Sequence, residues 1–312
     1  MYDRLLREAL GVPWCITAEY AAIVQDLLRF RAHGGRLTPD EVQARTQAET
    51  PSTPATPGAK MAVVPIYGVI AHRTFEASSG MTSTERIGAS LRAVMADPDV
   101  STVIVDVASQ GGTVTGIPEL AADIHAARKS KYLVAIANGE MHSAAYWLAS
   151  QAHEVVSIPS GRVGSIGVYM LHEDLTGMLE QEGIKLTAIS AGDYKLELAP
   201  WAPLTAEAKA RLKGEVDAVY QGFTAAVARG RGVPVADVRG GYGKGRSLRA
   251  IEALAAGLID GIETVPHLLA RLARGERMAR TARVAASEPA PIPLVADDVA
   301  ALDRALALYA HV

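Results

Sequence analysis

The sequence predicts an α/β fold with a mostly parallel sheet. Short β-branched, apolar runs alternate with stretches of helical periodicity from residue 61 to about residue 274. The connections between them carry Gly, Pro, Asn and Ser, the residues that turn a chain. Of the 312 residues 49% are apolar, yet no run is apolar over eighteen, so the chain reads as globular rather than membrane-spanning.

Residues 1–48 read as a helical N-terminal arm. Ile23, Leu27 and Leu28 keep helical spacing within the segment Ala18 to Arg31, and Thr38-Pro39 has the form of a helix start. Residues 49–60 are rich in Pro and Thr and read as a linker. A domain over 61–275 follows. Met61–Ile70 is apolar and β-branched, hence a strand; Thr84–Met95 is a helix that Asp97-Pro98 ends. Val103–Val107 is a strand stopped by Ser109-Gln110-Gly111-Gly112, Ile117–Arg128 a helix, and Tyr132–Ala137 a third strand. Ser143–Gln151 reads as a short helix, Glu154–Ile158 and Ile166–Leu171 as strands, Leu175–Glu182 as a helix and Lys185–Ser190 as a strand. Helices are then expected at Ala206–Arg229, Leu248–Ala256 (ended by Gly257) and Pro266–Arg274. Residues 276–312 read as a flexible tail with a short helix at Asp297–Tyr309.

Composition narrows the function. A net charge of −3, with no basic run beyond Arg128-Lys129-Ser130-Lys131, gives no electrostatic case for nucleic acid or an anionic membrane. The single cysteine, Cys15, excludes an intrachain disulfide and fits a reducing compartment. Asp3, Arg4, Arg7 and Glu8 leave no room for the apolar region of a signal peptide, so a cytoplasmic protein without a membrane anchor is expected. No metal or cofactor is expected. His153-Glu154-Val155-Val156-Ser157 lacks the second histidine of a zinc helix. Gly240-Gly241-Tyr242-Gly243-Lys244-Gly245 lacks the spacing of a phosphate-binding loop and reads as flexible.

Three segments hold residue types suited to chemistry. In Ser109-Gln110-Gly111-Gly112, adjacent glycines either merely turn the chain or present backbone amides to an oxyanion. In Asn138-Gly139-Glu140-Met141-His142-Ser143-Ala144-Ala145-Tyr146-Trp147, Ser143 stands before a helix, as a plain N-cap or as a nucleophile with small neighbours. In Ser190-Ala191-Gly192-Asp193-Tyr194-Lys195, the lysine is either solvated or a general base. The second role needs a neutral amine, with burial bringing its pKa down from about 10.4. Leu196, Leu198, Pro200 and Trp201 are the residues at hand to bury it.

Together these segments resemble the signal peptide peptidase / phage head-maturation protease family of serine peptidases, from about 61 to 272. The matched pieces are Gln110-Gly111-Gly112, His142-Ser143-Ala144-Ala145-Tyr146-Trp147-Leu148-Ala149 and Val163-Gly164-Ser165-Ile166-Gly167-Val168. Gly192-Asp193-Tyr194-Lys195 with Pro200 and Leu204-Thr205, and Ala253-Leu254-Ala255-Ala256-Gly257-Leu258-Ile259-Asp260-Gly261, complete the set in the family's order. The resemblance implies a Clp-protease/crotonase-like fold of repeated strand-strand-helix units. It implies a Ser–Lys dyad of Ser143 and Lys195, with an oxyanion hole from Gly111 or Gly112 and Ala144. Gln110 replaces the family's usual Pro, Ala144-Ala145 its frequent Gly-Gly, and Leu198 a Gly that often follows the lysine.

The phage branch, which cleaves scaffold and capsid proteins, fits better than the membrane-bound branch, which digests signal peptides. Such an enzyme would work in the host cytoplasm or procapsid, and a homo-oligomer is expected of this fold. Three rivals remain: a triad with His172 as base beside Glu173 and Asp174, a crotonase-like acyl-CoA enzyme, and an inactive capsid-associated protein of the same fold.

Overall fold

The computed structural model describes residues 13–17, 61–73 and 81–278. The helices expected at Ala18–Arg31 and Asp297–Tyr309, the Thr38-Pro39 helix start, the linker at 49–60 and the tail from 279 lie outside the described residues.

The protein is mixed α/β with a mostly parallel sheet. The strands are β1 (Trp14–Ile16), β2 (Met61–Ala71), β3 (Met81–Ser83), β4 (Thr102–Thr113), β5 (Tyr132–His142), β6 (Glu154–Ser157), β7 (Arg162–Gly164), β8 (Ser247–Arg249) and β9 (Gly261–Ile262). The helices are α1 (Thr84–Ala96), α2 (Ile117–Ala127), α3 (Ala144–Ala149), α4 (Thr176–Gln181), α5 (Ala206–Arg231), α6 (Val235–Gly241), α7 (Ala250–Ala256) and α8 (Val265–Ala273). The main sheet runs β3-β2-β4-β5-β6-β9 with every neighbour parallel. β1 joins it on β4, β7 joins parallel on β5, and β8 lies antiparallel on β7.

Parallel strands buried on both faces read as continuous apolar runs. Val103, Ile104, Val105 and Val107 in β4, and Leu133 to Ala137 in β5, are all buried. Ile104, Val134, Ile136 and Val156 meet Leu268, Leu269 and Leu272 of α8 in one core, against which Met278 also packs. The glycine segment expected to stop one strand does not, and a second strand runs past its expected end at Ala137. β4 continues through Ser109–Gly112 because β2 pairs alongside, Val69 with Gly111 and Ile70 with Gly112. β5 continues through Asn138 and Gly139 because β7 takes over as its neighbour, pairing Glu140 with Arg162 and His142 with Gly164.

Two expected strands are absent. Gly164 (φ 121) and Ser165 (φ 54) turn the backbone, so the extended segment is Arg162–Gly164 and not Ile166–Leu171. Lys185–Ser190 forms no strand: Leu186 is 55% and Ile189 98% exposed, and no neighbour pairs with them among the described residues. The helix expected from Leu248 starts at Ala250, since Ser247–Arg249 pairs with β7. The glycine run at 240–245, expected to be a loop, ends α6 and closes one 3-10 turn at Gly243–Gly245.

The described residues fall into two compact units. One is built on Val168–Gln221 with Pro13 and Trp14; the other holds Cys15–Thr17, the described residues from Met61 to Gly167, and those from Gly222. The second contains the sheet. In the first, Trp14 and Tyr169 exchange backbone bonds of 2.9 and 3.1 Å, and α4 borders a surface cavity of about 240 Å³ with Ile184, Leu186 and Trp201.

Candidate active site

The geometry converges on Ser143. β5 ends at His142 and α3 begins at Ala144, so one residue must turn the chain between them. Ser143 does so at φ 52, ψ −116, a state costly for any residue with a Cβ. Its amide donates to Gly164 O at 2.8 Å, and its hydroxyl lies 3.5 Å from Gly167 O. The Val163–Val168 segment therefore holds the serine turn from one side, which is the physical content of that motif.

Gly111 holds it from another. It has φ 99, and a Cβ there would stand 3.0 Å from Ser143 Cβ, 3.1 Å from Ala144 N and 2.1 Å from Cys15 O. Only glycine permits so close a backbone approach. The Gly111 amide donates to Ser109 Oγ at 3.2 Å, and that hydroxyl donates to Gly68 O at 2.6 Å. Ala144 is the first residue of α3, where an amide has no partner within the helix. Gly112 is pressed onto β2, where a Cβ would lie 1.7 Å from Ile70 O.

α3 is buried on all sides, as an apolar helix in a core must be. Tyr146 donates to Leu258 O at 2.8 Å, Trp147 stacks on Phe223 of α5 at 4.6 Å, and Gln151 donates to Ala226 O at 2.9 Å. Asp260 accepts from Val155 N at 2.8 Å and binds Arg231 through both oxygens at 2.6 and 2.7 Å. The Ala253–Gly261 motif is thus a brace behind the serine helix.

His142 points away from any base role. Its Nε2 lies 2.6 Å from Ser247 Oγ, which also accepts from Arg162 Nε at 3.1 Å. The ring is therefore engaged with β8. Burial pushes the His142 pKa down from 6.5 and Arg162 adds to this, while Glu140 opposes it.

Sequence reasoning passed over Cys15, Ser247 and Arg162 as neighbours of the site. Cys15 is fully buried on β1, and burial raises its thiol to about 12 against the opposing effect of the nearby Ser143 side chain. A three-residue strand has no periodicity to read, and Ser247 and Arg162 come from distant strands, so only the aromatic-flanked Trp14-Cys15-Ile16 offered a signal.

Of the expected site residues, Ser143, Ala144, Gly111 and Gly112 share one unit, whereas Lys195 and His172 belong to the other. Lys195 follows a turn closed by its amide on Gly192 O at 3.1 Å, and its side chain is exposed. The apolar enclosure expected from its neighbours is not built by its own unit: Leu196 and Trp201 are each 37% exposed. His172 is half-buried, its Nε2 covered and, among the described residues, without a hydrogen-bond partner. Asp174, the acid a triad would need, instead accepts from the Thr176 amide at 2.9 Å and hydroxyl at 2.6 Å. Those bonds, the hydroxyl's first, hold its carboxyl below the usual range.

A serine on a strained strand-to-helix turn, with a glycine backbone pressed against it, is the arrangement of a hydrolytic enzyme on an α/β sheet. The comparison with known proteins narrows the class: residues 125–279 match the model of peptidase family S49. Over 182 residues it is 35% identical to the head-tail preconnector protein GP5 of Enterobacteria phage P21, covering 58% of this chain and 36% of that one. Over 205 residues it is 33% identical to the capsid assembly protease C of Escherichia phage lambda, covering 64% and 46%. A putative protease of Methanocaldococcus jannaschii is 31% identical over 176 residues, 56% of each chain. The chain therefore spans between about a third and just over half of these relatives' lengths. Among the described residues no helix is long and apolar enough to cross a membrane.

Proposed function

We propose that this chain is a serine endopeptidase that cleaves scaffold or capsid proteins during phage head maturation, in the host cytoplasm or procapsid. The observation that carries the reading is the strained Ser143, within the stretch matching a peptidase family, with the Gly111 backbone against it. The phage relatives, one named a capsid assembly protease, support the substrate class. The successive parallel strands and intervening helices support a Clp-protease/crotonase-like fold of strand-strand-helix units.

In the proposed reaction neutral Lys195 Nζ takes the Ser143 hydroxyl proton as Oγ bonds to the peptide carbonyl carbon. The Ala144 amide and the Gly111–Gly112 backbone hold the oxyanion; Gly111 N–H would leave Ser109 to do so. A lost donor typically costs roughly 100- to 1,000-fold in rate. Lys195 returns the proton to the leaving nitrogen as the C–N bond breaks. Water then attacks the acyl ester, giving its proton to Lys195, which passes it to Ser143 Oγ as the ester C–O bond breaks and the acid product leaves. This requires the exposed Lys195 to be enclosed beside Ser143 when substrate is bound, because an amine in water stays protonated at neutral pH.

Assembly of several copies is part of the proposal. Leu171, Met178, Ile184, Leu186, Ile189 and Trp201 of the Val168–Gln221 unit are large, apolar and exposed, and a second copy is the occupant we assign to them.

The test is co-expression with the scaffold protein of a related phage, with cleavage read by mass spectrometry. Ser143→Ala and Lys195→Ala should each lower cleavage by about 1,000-fold or more, while His172→Ala retains it. Cleavage that survives Ser143→Ala defeats the assignment. Cleavage that survives Lys195→Ala but not His172→Ala transfers the base to His172.

A further inference from the structure

The serine at the centre of the site is closed off: Ser143 is 1% exposed. Part of what lies on it comes from far away in the sequence. Cys15 O stands 2.1 Å from where a Gly111 Cβ would be, so the Cys15 main chain lies directly on the Gly111 backbone. Thr17 N donates to Gln110 O at 3.4 Å, extending the contact of β1 with β4. The Cys15 thiol is near enough to the Ser143 side chain for the serine to oppose the rise in pKa that burial imposes on it. Cys15 is 0% and Ile16 3% exposed.

An extended peptide that adds to a sheet edge offers the same groups: a carbonyl and an amide for the edge strand, with side chains alternating into pockets. Resting on the proposed peptidase reading, we propose that Cys15–Thr17 occupies the strand position of the substrate, as an intramolecular mimic that must leave before cleavage. The slot takes an extended polypeptide with a small uncharged side chain, no larger than that of cysteine, over Ser143 and a β-branched apolar residue next to it. The mimic is built to be displaced. Its strand is three residues long, and its outer bond to Gln110 is a long one. Tethering keeps it at an effective concentration of about millimolar, so a substrate competes with it directly.

Cys15 is the only cysteine, and its thiol therefore reports on the segment by itself. The experiment uses the full chain with Ile16→Asp and, separately, Thr17→Pro. Three quantities are read: the rate of thiol reaction with a chromogenic disulfide reagent, kcat/KM on unfolded β-casein, and the melting curve. The expected result is a slow thiol in wild type, faster by at least about tenfold in each variant. A comparable rise in kcat/KM and a retained cooperative melt should accompany it, as for release of a tethered competitor. A thiol set free without a rise in kcat/KM overturns the proposal. So does a thiol protected in both variants, or loss of cooperative melting in both, since either makes β1 a fixed part of the fold. The same measurements in a Ser143→Ala background separate the two ideas. Casein cleavage that persists there sinks the nucleophile assignment, while the thiol rates, which need no cleavage, still report on the segment.

Discussion

Ser143 bears a backbone conformation that a glycine adopts far more easily. Such a state costs a side-chain-bearing residue about 1–3 kcal/mol, against the roughly 0.4–1 kcal/mol that glycine adds to the freedom of the unfolded chain. Ser143→Gly should therefore stabilise the fold by about 1 kcal/mol while removing the nucleophile, measured by urea denaturation beside an activity assay. A destabilised variant would mean that the turn carries no strain. His142 gives a second prediction at this scale. Its depressed pKa means that below about 6.5 the unfolded chain binds a proton that the folded one refuses. Stability should be flat above that pH and fall as pH drops towards the depressed folded value, and His142→Asn should flatten this limb. An unchanged pH profile would refute it. What was legible here followed from chain order: a serine placed after a strand and before a helix. The hydrogen bond of His142 to Ser247 spans 105 positions, and no local pattern encodes it.

At the scale of elements, apolar runs and caps marked most strands and helices well, because burial and termination are local in sequence. Asp97-Pro98 does end α1, and Gly257 does end α7 at φ 82. The failures were of pairing. Val103–Val107 and Tyr132–Ala137 each extend well beyond their apolar runs, since a neighbour supplies hydrogen bonds to Gly111, Gly112 and Glu140. Lys185–Ser190 had a strand's composition and no pairing neighbour among the described residues. The brace behind α3 is testable as an element. Arg231 and Asp260 are both almost wholly buried, and although burial alone would lower the Arg231 pKa, Asp260 more than offsets it. Asp260→Ala leaves a buried cation and should cost about 3–5 kcal/mol in chemical denaturation. A loss below about 1 kcal/mol would show that water reaches Arg231 and that the brace is weak.

For the whole molecule, the alternation of strand and helix was enough to fix the class of fold, and the order of five motifs pointed to the site. The division into a sheet-bearing unit and one built on Val168–Gln221 was not legible, because the Ala206–Arg231 helix reads as one element and belongs to both. Nor does the sequence tell that large apolar side chains between Leu171 and Trp201 stay exposed. If they meet a second copy, light scattering should give a mass that is a multiple of the chain's, and Leu186→Asp with Ile189→Asp should reduce it. A monomeric wild type would leave that surface for another partner.

β5 changes neighbours partway, from β6 as far as Ala137 to β7 from Glu140. From Ala137 to Met141 it spends four steps where β4 spends two from Val107 to Ser109, and Gly139 lies at φ 123 within that excess. Such a backbone is one that glycine adopts at least cost. Both the length and the glycine of this stretch are therefore constrained: losing either would shift Ser143 from its seat beside Gly111.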